Sequence, residues 1–110
     1  MRLPKSIKVG PFRWSIRLLD LNTAIDRAAN GFNYGATLKS QLEIQLAIGQ
    51  APGNLRDTLL HEVLHACWHT AGLSSGAADE EEVCARLATL FLSVLRENPQ
   101  LVAFLTEEDA

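Results

Sequence analysis

Apolar and polar residues alternate with period two through the first half of the chain and recur every three to four positions through the second. Ser6–Val9 reads as a short strand closed by the turn-forming pair Gly10-Pro11. Phe12, Trp14, Ile16 and Leu18 then alternate with Arg13, Ser15 and Arg17, which predicts a half-buried strand with the apolar set facing the core. From Asp20 to Asn33 the alternation breaks; Ala24–Ala29 has room for a helical turn or two before Asn30-Gly31 stops it. A further short strand is expected around Tyr34–Thr37. Gln41–Ile48 carries the cleanest alternation, with Leu42, Ile44, Leu46 and Ile48 on one face against Glu43, Gln45 and Ala47 on the other. The predicted strands span about residues 5–48, and Pro52-Gly53 closes this half.

Helical periodicity takes over from there. Asn54 is in place as an N-cap, with Asp57 three residues on at the capping-box position. Leu55, Leu59, Leu60, Val63, Leu64, Cys67, Trp68 and Ala71 recur at helical spacing up to Gly72, a natural C′ stop, so a helix is predicted over about 55–71. A Ser/Gly/Ala loop, Leu73–Ala78, leads to a second helix over about 79–97, whose acidic first turn from Asp79 suits the helix dipole. Val83, Leu87, Leu90, Phe91, Val94 and Leu95 give it a buried stripe; Pro99 ends it, and Leu101–Leu105 allows a short terminal helix. With no repeat, low-complexity tract or linker, residues 1–110 read as one α+β domain: a small, mostly antiparallel sheet packed on two main helices.

Composition narrows the class. A chain of 110 residues, 47% hydrophobic and 21% charged, is ordinary for a globular domain and unlike a disordered one. The longest apolar candidate, Leu87 to Leu95, is about half the length of a membrane span, and the N-terminus has no apolar signal-peptide core. Cys67 and Cys84 form no CxxC pair and read as buried free thiols, which together points to the cytoplasm. Trp14 and Trp68 lie on the apolar sides of their elements and are expected in the core. Charge is lopsided: residues 1–56 hold eight Lys/Arg against three Asp/Glu, and residues 57–110 hold two against ten. Lys5, Lys8, Arg13, Arg17, Arg27 and Lys39 are nevertheless dispersed, without a basic run or interleaved aromatics, so they read as solvated strand edges rather than a nucleic-acid face.

The chemistry concentrates at one place. All three histidines fall between positions 61 and 69, as His61-Glu62-Val63-Leu64-His65 followed by His69. Residues i and i+4 stand on one helix face, so His61 and His65 present two imidazoles to one ion while Glu62 projects at a neighbouring angle. That is the H-E-x-x-H arrangement, in which the histidines bind zinc and the glutamate is the general base. A catalytic zinc takes a third protein ligand. His69 is a poor candidate, because ligands at 61, 65 and 69 would span about 12 Å along a straight axis. The acidic run Asp79-Glu80-Glu81-Glu82 is better placed across the loop. Glu82 is set to pair with Arg86 at i+4; Glu80 and Glu81 both flank the buried sector, and the smaller neighbours Cys84 and Ala88 favour Glu81.

The block Thr58–Ala66 (TLLHEVLHA), with the acidic turn, Leu87-Ala88-Thr89 and Arg96-Glu97-Asn98-Pro99, resembles small zincin-like metallopeptidases of the gluzincin-like group, many of them encoded by phages and prophages. The likeness covers roughly residues 34 to 105. It implies a minimal zincin-like fold and a single Zn2+ held by His61, His65 and a glutamate of the second helix, Glu81 with Glu80 next. It further implies peptide-bond hydrolysis, as an endopeptidase rather than an exopeptidase, with Glu62 as base, and a setting in the bacterial host cytosol. The strand over 41–48 would be an edge strand with which an extended substrate peptide pairs. Tyr34 and His69 are the candidates for an oxyanion partner. The sequence has no HExxHxxGxxH extension, so the cleft is expected to be shallow. The rival reading is a non-catalytic zinc-binding regulatory or interaction module of a mobile element, in which zinc staples a small two-helix core. A metal-dependent nuclease or other hydrolase is disfavoured by the lack of a basic channel and of an Asp-rich two-metal cluster.

Overall fold

Trp14, Ile16, Ile44 and Leu46 are buried along the middle of a four-stranded sheet, and Ile7 and Val9 extend the same apolar face. The computed structural model describes residues 2–22, 32–73 and 80–107, apart from the side chains of Glu80, Glu81, Cys84 and Ala85. The strands are β1 (Ser6–Val9), β2 (Phe12–Leu19), β3 (Gly35–Leu38) and β4 (Glu43–Ala47), in spatial order β1-β2-β4-β3. β1 and β2 are antiparallel, as are β3 and β4, whereas β2 and β4 run parallel. Three helices follow: α1 (Pro52–Thr70), α2 (Glu80–Glu97) and α3 (Pro99–Thr106). α1 packs on β3, β4 and β1, and α2 on β1, giving an α+β fold with a mixed sheet. No helix among the described residues is long and apolar enough to cross a membrane.

Several expectations need correction. The 41–48 segment is not an edge: β4 (Glu43–Ala47) is flanked by β2 and β3, and β3 is the outer strand on that side among the described residues. Alternation reports which face of a strand is buried but not which strands lie beside it, so neighbour order had no signature. Phe12 and Leu18, at the ends of β2, are 45% and 46% exposed, and Ile48, just past β4, is 52% exposed. They keep the correct parity but lie beyond the cover of the helical layer. The helical turn expected at Ala24–Ala29 lies outside the described residues.

Pro52, read as closing the first half, begins a helix, and Pro99, which follows the end of α2 at Glu97 as expected, also begins one. Pro52 opens α1 with Ala51 as N-cap, and Pro99 opens α3 with Asn98 as N-cap. A proline ring fixes φ near the helical value and lacks only an N–H that the first turn leaves unpaired anyway. Asn54 is therefore inside α1, where its amide donates to Gln50 Oε1 at 2.7 Å instead of capping. Gly72, at φ +74°, ends α1 as expected. Glu82 pairs with Arg86 at 2.8 Å, again as expected, and Arg86 also donates to the Ala71 carbonyl at the end of α1. Val94 is fully buried in the α2 stripe with Leu87, Leu90 and Phe91 packed at the core margin, but Leu95 is 37% exposed.

Asn98 closes the sheet's other margin. Its Oδ1 accepts from the Lys8 N–H at 2.9 Å, and its Nδ2 donates to the carbonyls of Lys8 (2.9 Å) and Val94 (2.8 Å). The carboxamide thus pairs with β1 as another strand would, across 90 residues of sequence. Asn98→Ala strips these partners from part-buried backbone groups and is expected to destabilise the domain by about 2 kcal/mol, read as a lower urea midpoint with an unchanged slope.

Candidate metal and proton-transfer site

Along α1, Leu59, Glu62, Val63, Ala66 and Cys67 are buried at the spacing of one helix face. His61 and His65 lie next to that stripe on the solvent side. Their Nε2 atoms converge to 3.2 Å, with ring centroids 4.8 Å apart in an edge-to-face arrangement. Two neutral imidazoles share at most one proton between nitrogens so placed, which leaves at least one lone pair directed at the common point. A tetrahedral zinc with bonds near 2.0–2.1 Å requires a nitrogen separation of about 3.3 Å. The observed pair fits that requirement.

Glu62 is 6% exposed, an unusual setting for a carboxylate. β3 accounts for its position. The Thr37 hydroxyl donates to Glu62 Oε1 at 2.8 Å and lies 3.2 Å from the Glu62 carbonyl oxygen. The other carboxylate oxygen, Oε2, is 4.0 Å from His61 Nε2. Two residues earlier, a Cβ on Gly35 would lie 3.0 Å from Thr58 Cγ2, 3.0 Å from the Gln45 carbonyl oxygen and 3.2 Å from Glu62 Cγ. The strand therefore approaches the helix so closely that a side chain at position 35 fits only if its neighbours give way by a few tenths of an ångström. Gln50 locks the same corner: its Nε2 donates to the Tyr34 and Ala47 carbonyls while its Oε1 accepts from Thr58 and Asn54.

Two clefts meet at His61. One, of about 450 Å³, runs from Phe32, Tyr34 and Gly35 across to Asp57, Thr58 and Glu62. The other, of about 360 Å³, is lined by His61, Leu64, His65 and Trp68. Trp68, expected in the core, is instead half-buried and forms the wall of this second cleft with Leu64, which is 42% exposed. The apolar stripe of α1 is wider than the sheet covers, and its uncovered flank runs beside the histidines. Trp14 is buried as expected. Tyr34 is 50% exposed, stacks at a tilt on Phe32 and shares the first cleft with Glu62. His69 is half-buried and lines neither cleft; its Nδ1 is buried without a hydrogen-bond partner among the described residues. Glu80 and Glu81 occupy the first turn of α2, but their side chains lie outside what is described. Among the described residues no group of three His, Cys, Asp or Glu side chains converges on one point.

No family model, curated protein or solved structure matches this chain. Sequence reasoning found the histidine pair and Glu62 but missed Gly35, Thr37 and Gln50. A glycine inside a strand pattern was the available signal, since it marks a place where another element comes close.

Gly35→Ala is expected to cost about 1–3 kcal/mol through overpacking against Thr58 and the β4 backbone, measurable by thermal unfolding. Cys67 is fully buried, as expected of a free thiol, and burial raises its pKa from 9.0 to about 11. Alkylation at neutral pH followed by peptide mapping should therefore leave Cys67 unmodified in the native protein and label it after denaturation. The same shift makes stability fall as pH rises from about 9 to 11, where the unfolded chain has lost a thiol proton that the folded chain retains.

Proposed function

We propose that this protein is a zinc-dependent peptidase of minimal zincin-like build. The observation that carries the reading is the convergence of the His61 and His65 Nε2 atoms at 3.2 Å beside a buried carboxylate one residue along the same helix. His61 and His65 would hold the ion, with Glu81 as the third ligand and Glu80 the next choice. When bound, zinc supplies Lewis-acid polarisation of the scissile carbonyl and lowers the pKa of a water to about 7. Glu62 takes the proton from the attacking water at Oε2, the oxygen turned toward the histidine pair, and delivers it to the departing amine. Tyr34, in the same cleft, is the candidate for stabilising the developing oxyanion.

Pairing of an extended substrate, expected on the 41–48 strand, transfers to β3. The Ala47 N–H bonds to the Tyr34 carbonyl, which makes Gly35·Leu46 and Thr37·Ile44 the non-hydrogen-bonded pairs of the ladder. The N–H and C=O groups of Gly35 and Thr37 therefore point away from β4, along the edge that borders the first cleft. A peptide added there gains main-chain bonds within reach of Glu62. A phage or prophage origin and a setting in the bacterial host cytosol belong to the same proposal.

Cleavage of an unstructured protein by the zinc-loaded enzyme should be abolished by chelator. It should fall at least about 100-fold in Glu62→Gln with zinc binding retained. Undiminished cleavage by Glu62→Gln overturns the peptidase reading. Stoichiometric zinc that folding requires, with no hydrolysis of a peptide library, assigns the non-catalytic module instead. For the ligand set, Glu81→Gln is expected to weaken zinc binding at least about 10-fold, or about 1.4 kcal/mol, and Glu82→Gln to leave it unchanged. Loss in Glu80→Gln with none in Glu81→Gln moves the ligand back one residue.

A further inference from the structure

We infer that Thr37 is a positioning residue for the general base: its hydroxyl holds the Glu62 carboxylate by Oε1 and leaves Oε2 as the oxygen that takes the proton. The inference rests on the peptidase reading for its consequence but on the geometry of β3 and α1 for its origin. A hydroxyl has one proton to donate, and the 2.8 Å contact to Oε1 receives it; the 3.2 Å approach to the Glu62 carbonyl is the longer of the two. With Oε1 engaged, rotation of the carboxylate about its last bond breaks that hydrogen bond, so the two oxygens are no longer interchangeable. Oε2 is the one 4.0 Å from His61 Nε2, on the side where the imidazole nitrogens meet.

The fold makes Thr37 well suited to this. A β-branched side chain has few χ1 choices, so its hydroxyl direction is set by the strand. The strand in turn is seated by Gly35, where a Cβ would crowd Thr58 and Glu62 at 3.0 and 3.2 Å. Gly35 and Thr37 thus share the helix-facing side of β3, one allowing the approach and the other using it. Among the described hydrogen bonds, the one from Thr37 is the only one to a Glu62 carboxylate oxygen. Because the outward main-chain groups of Thr37 also lie on the edge of β3 that has no neighbouring strand among the described residues, a substrate strand paired there would bear directly on the residue that sets the base.

The test uses the full-length zinc-loaded protein with Thr37→Val, Thr37→Ala and Thr37→Ser, and with Glu62→Gln as reference. Removal of the donor in Thr37→Val should lower kcat about 10- to 100-fold, with KM and zinc affinity within about twofold of the parent. Thr37→Ser should restore most of the loss. In zinc-free protein the 13Cδ resonance of Glu62 should move in Thr37→Val and stay near the parent position in Thr37→Ser, a readout that needs no turnover. Should Thr37→Val fail to fold, Thr37→Ala decides by the same measurements. Parental kcat and an unmoved Glu62 resonance in a folded donor-less variant overturn the inference while Glu62→Gln stays inactive. If Glu62→Gln is itself active, the peptidase reading has failed, and the resonance alone then decides whether Thr37 holds the carboxylate.

Discussion

The close contact of β3 with α1 is the constraint on which the site depends. A carboxylate taken out of water costs several kcal/mol unless its charge is met by hydrogen bonds or an opposite charge. Glu62 is nevertheless placed in the middle of the buried stripe of α1, between Leu59 and Ala66, with a threonine hydroxyl as its donor. Gly35 eases the arrangement by letting the strand come within contact of the helix without a crowded Cβ. A sequence optimised for stability alone would put an apolar residue at position 62. Local rules broken in this way are expected where a fold trades stability for chemistry.

The rest of the structure holds that contact in place with few parts. A small domain buries a limited apolar area, so individual polar ties carry weight. Asn98 joins β1 to the α2–α3 junction through both backbone groups of Lys8. Arg56, 8% exposed, does the same between α1 and α3: its Nε donates to the Phe104 carbonyl at 3.2 Å, its guanidinium lies 5.9 Å from the Phe104 ring, and Glu107 is 3.8 Å away. Gln50 links the turn before α1 to both β3 and β4. Each sits at an end of α1 or at an edge of the sheet, where the apolar core thins and a directional bond has most effect on register.

The two faces of α1 also divide the labour of the site. The sheet-facing side carries Glu62 among apolar residues at the margin of the first cleft, where a largely buried carboxylate interacts more strongly with its neighbours than in open solvent. The solvent-facing side carries His61 and His65 with Leu64 and Trp68 beside them, open to an ion and to an apolar group of a ligand. A helix is well suited to this because neighbouring positions in sequence point about 100° apart. Adjacent residues 61 and 62 therefore belong to different environments while remaining within about one turn of each other.

Short-range order was legible in the sequence because it is written in local periods. The strands of the first half, the long helices and the Gly72 stop follow from which side of each element must be dry. The i, i+4 histidine pair, the Glu82–Arg86 bridge and the burial of Cys67 are properties of a helix rather than of its surroundings. Tertiary structure alone decided the rest. That β4 is interior and β3 the edge depends on how the chain returns to pair with β2, and period-two alternation is the same whichever neighbour a strand has. That the side chain of Asn98, the N-cap position of α3, bonds the edge of β1 rather than the first turn of its own helix depends on a partner 90 residues away. The same holds for Thr37: its hydroxyl becomes the partner of Glu62 only when a sheet edge and a helix 25 residues apart in sequence are pressed together, a contact to which no local period corresponds.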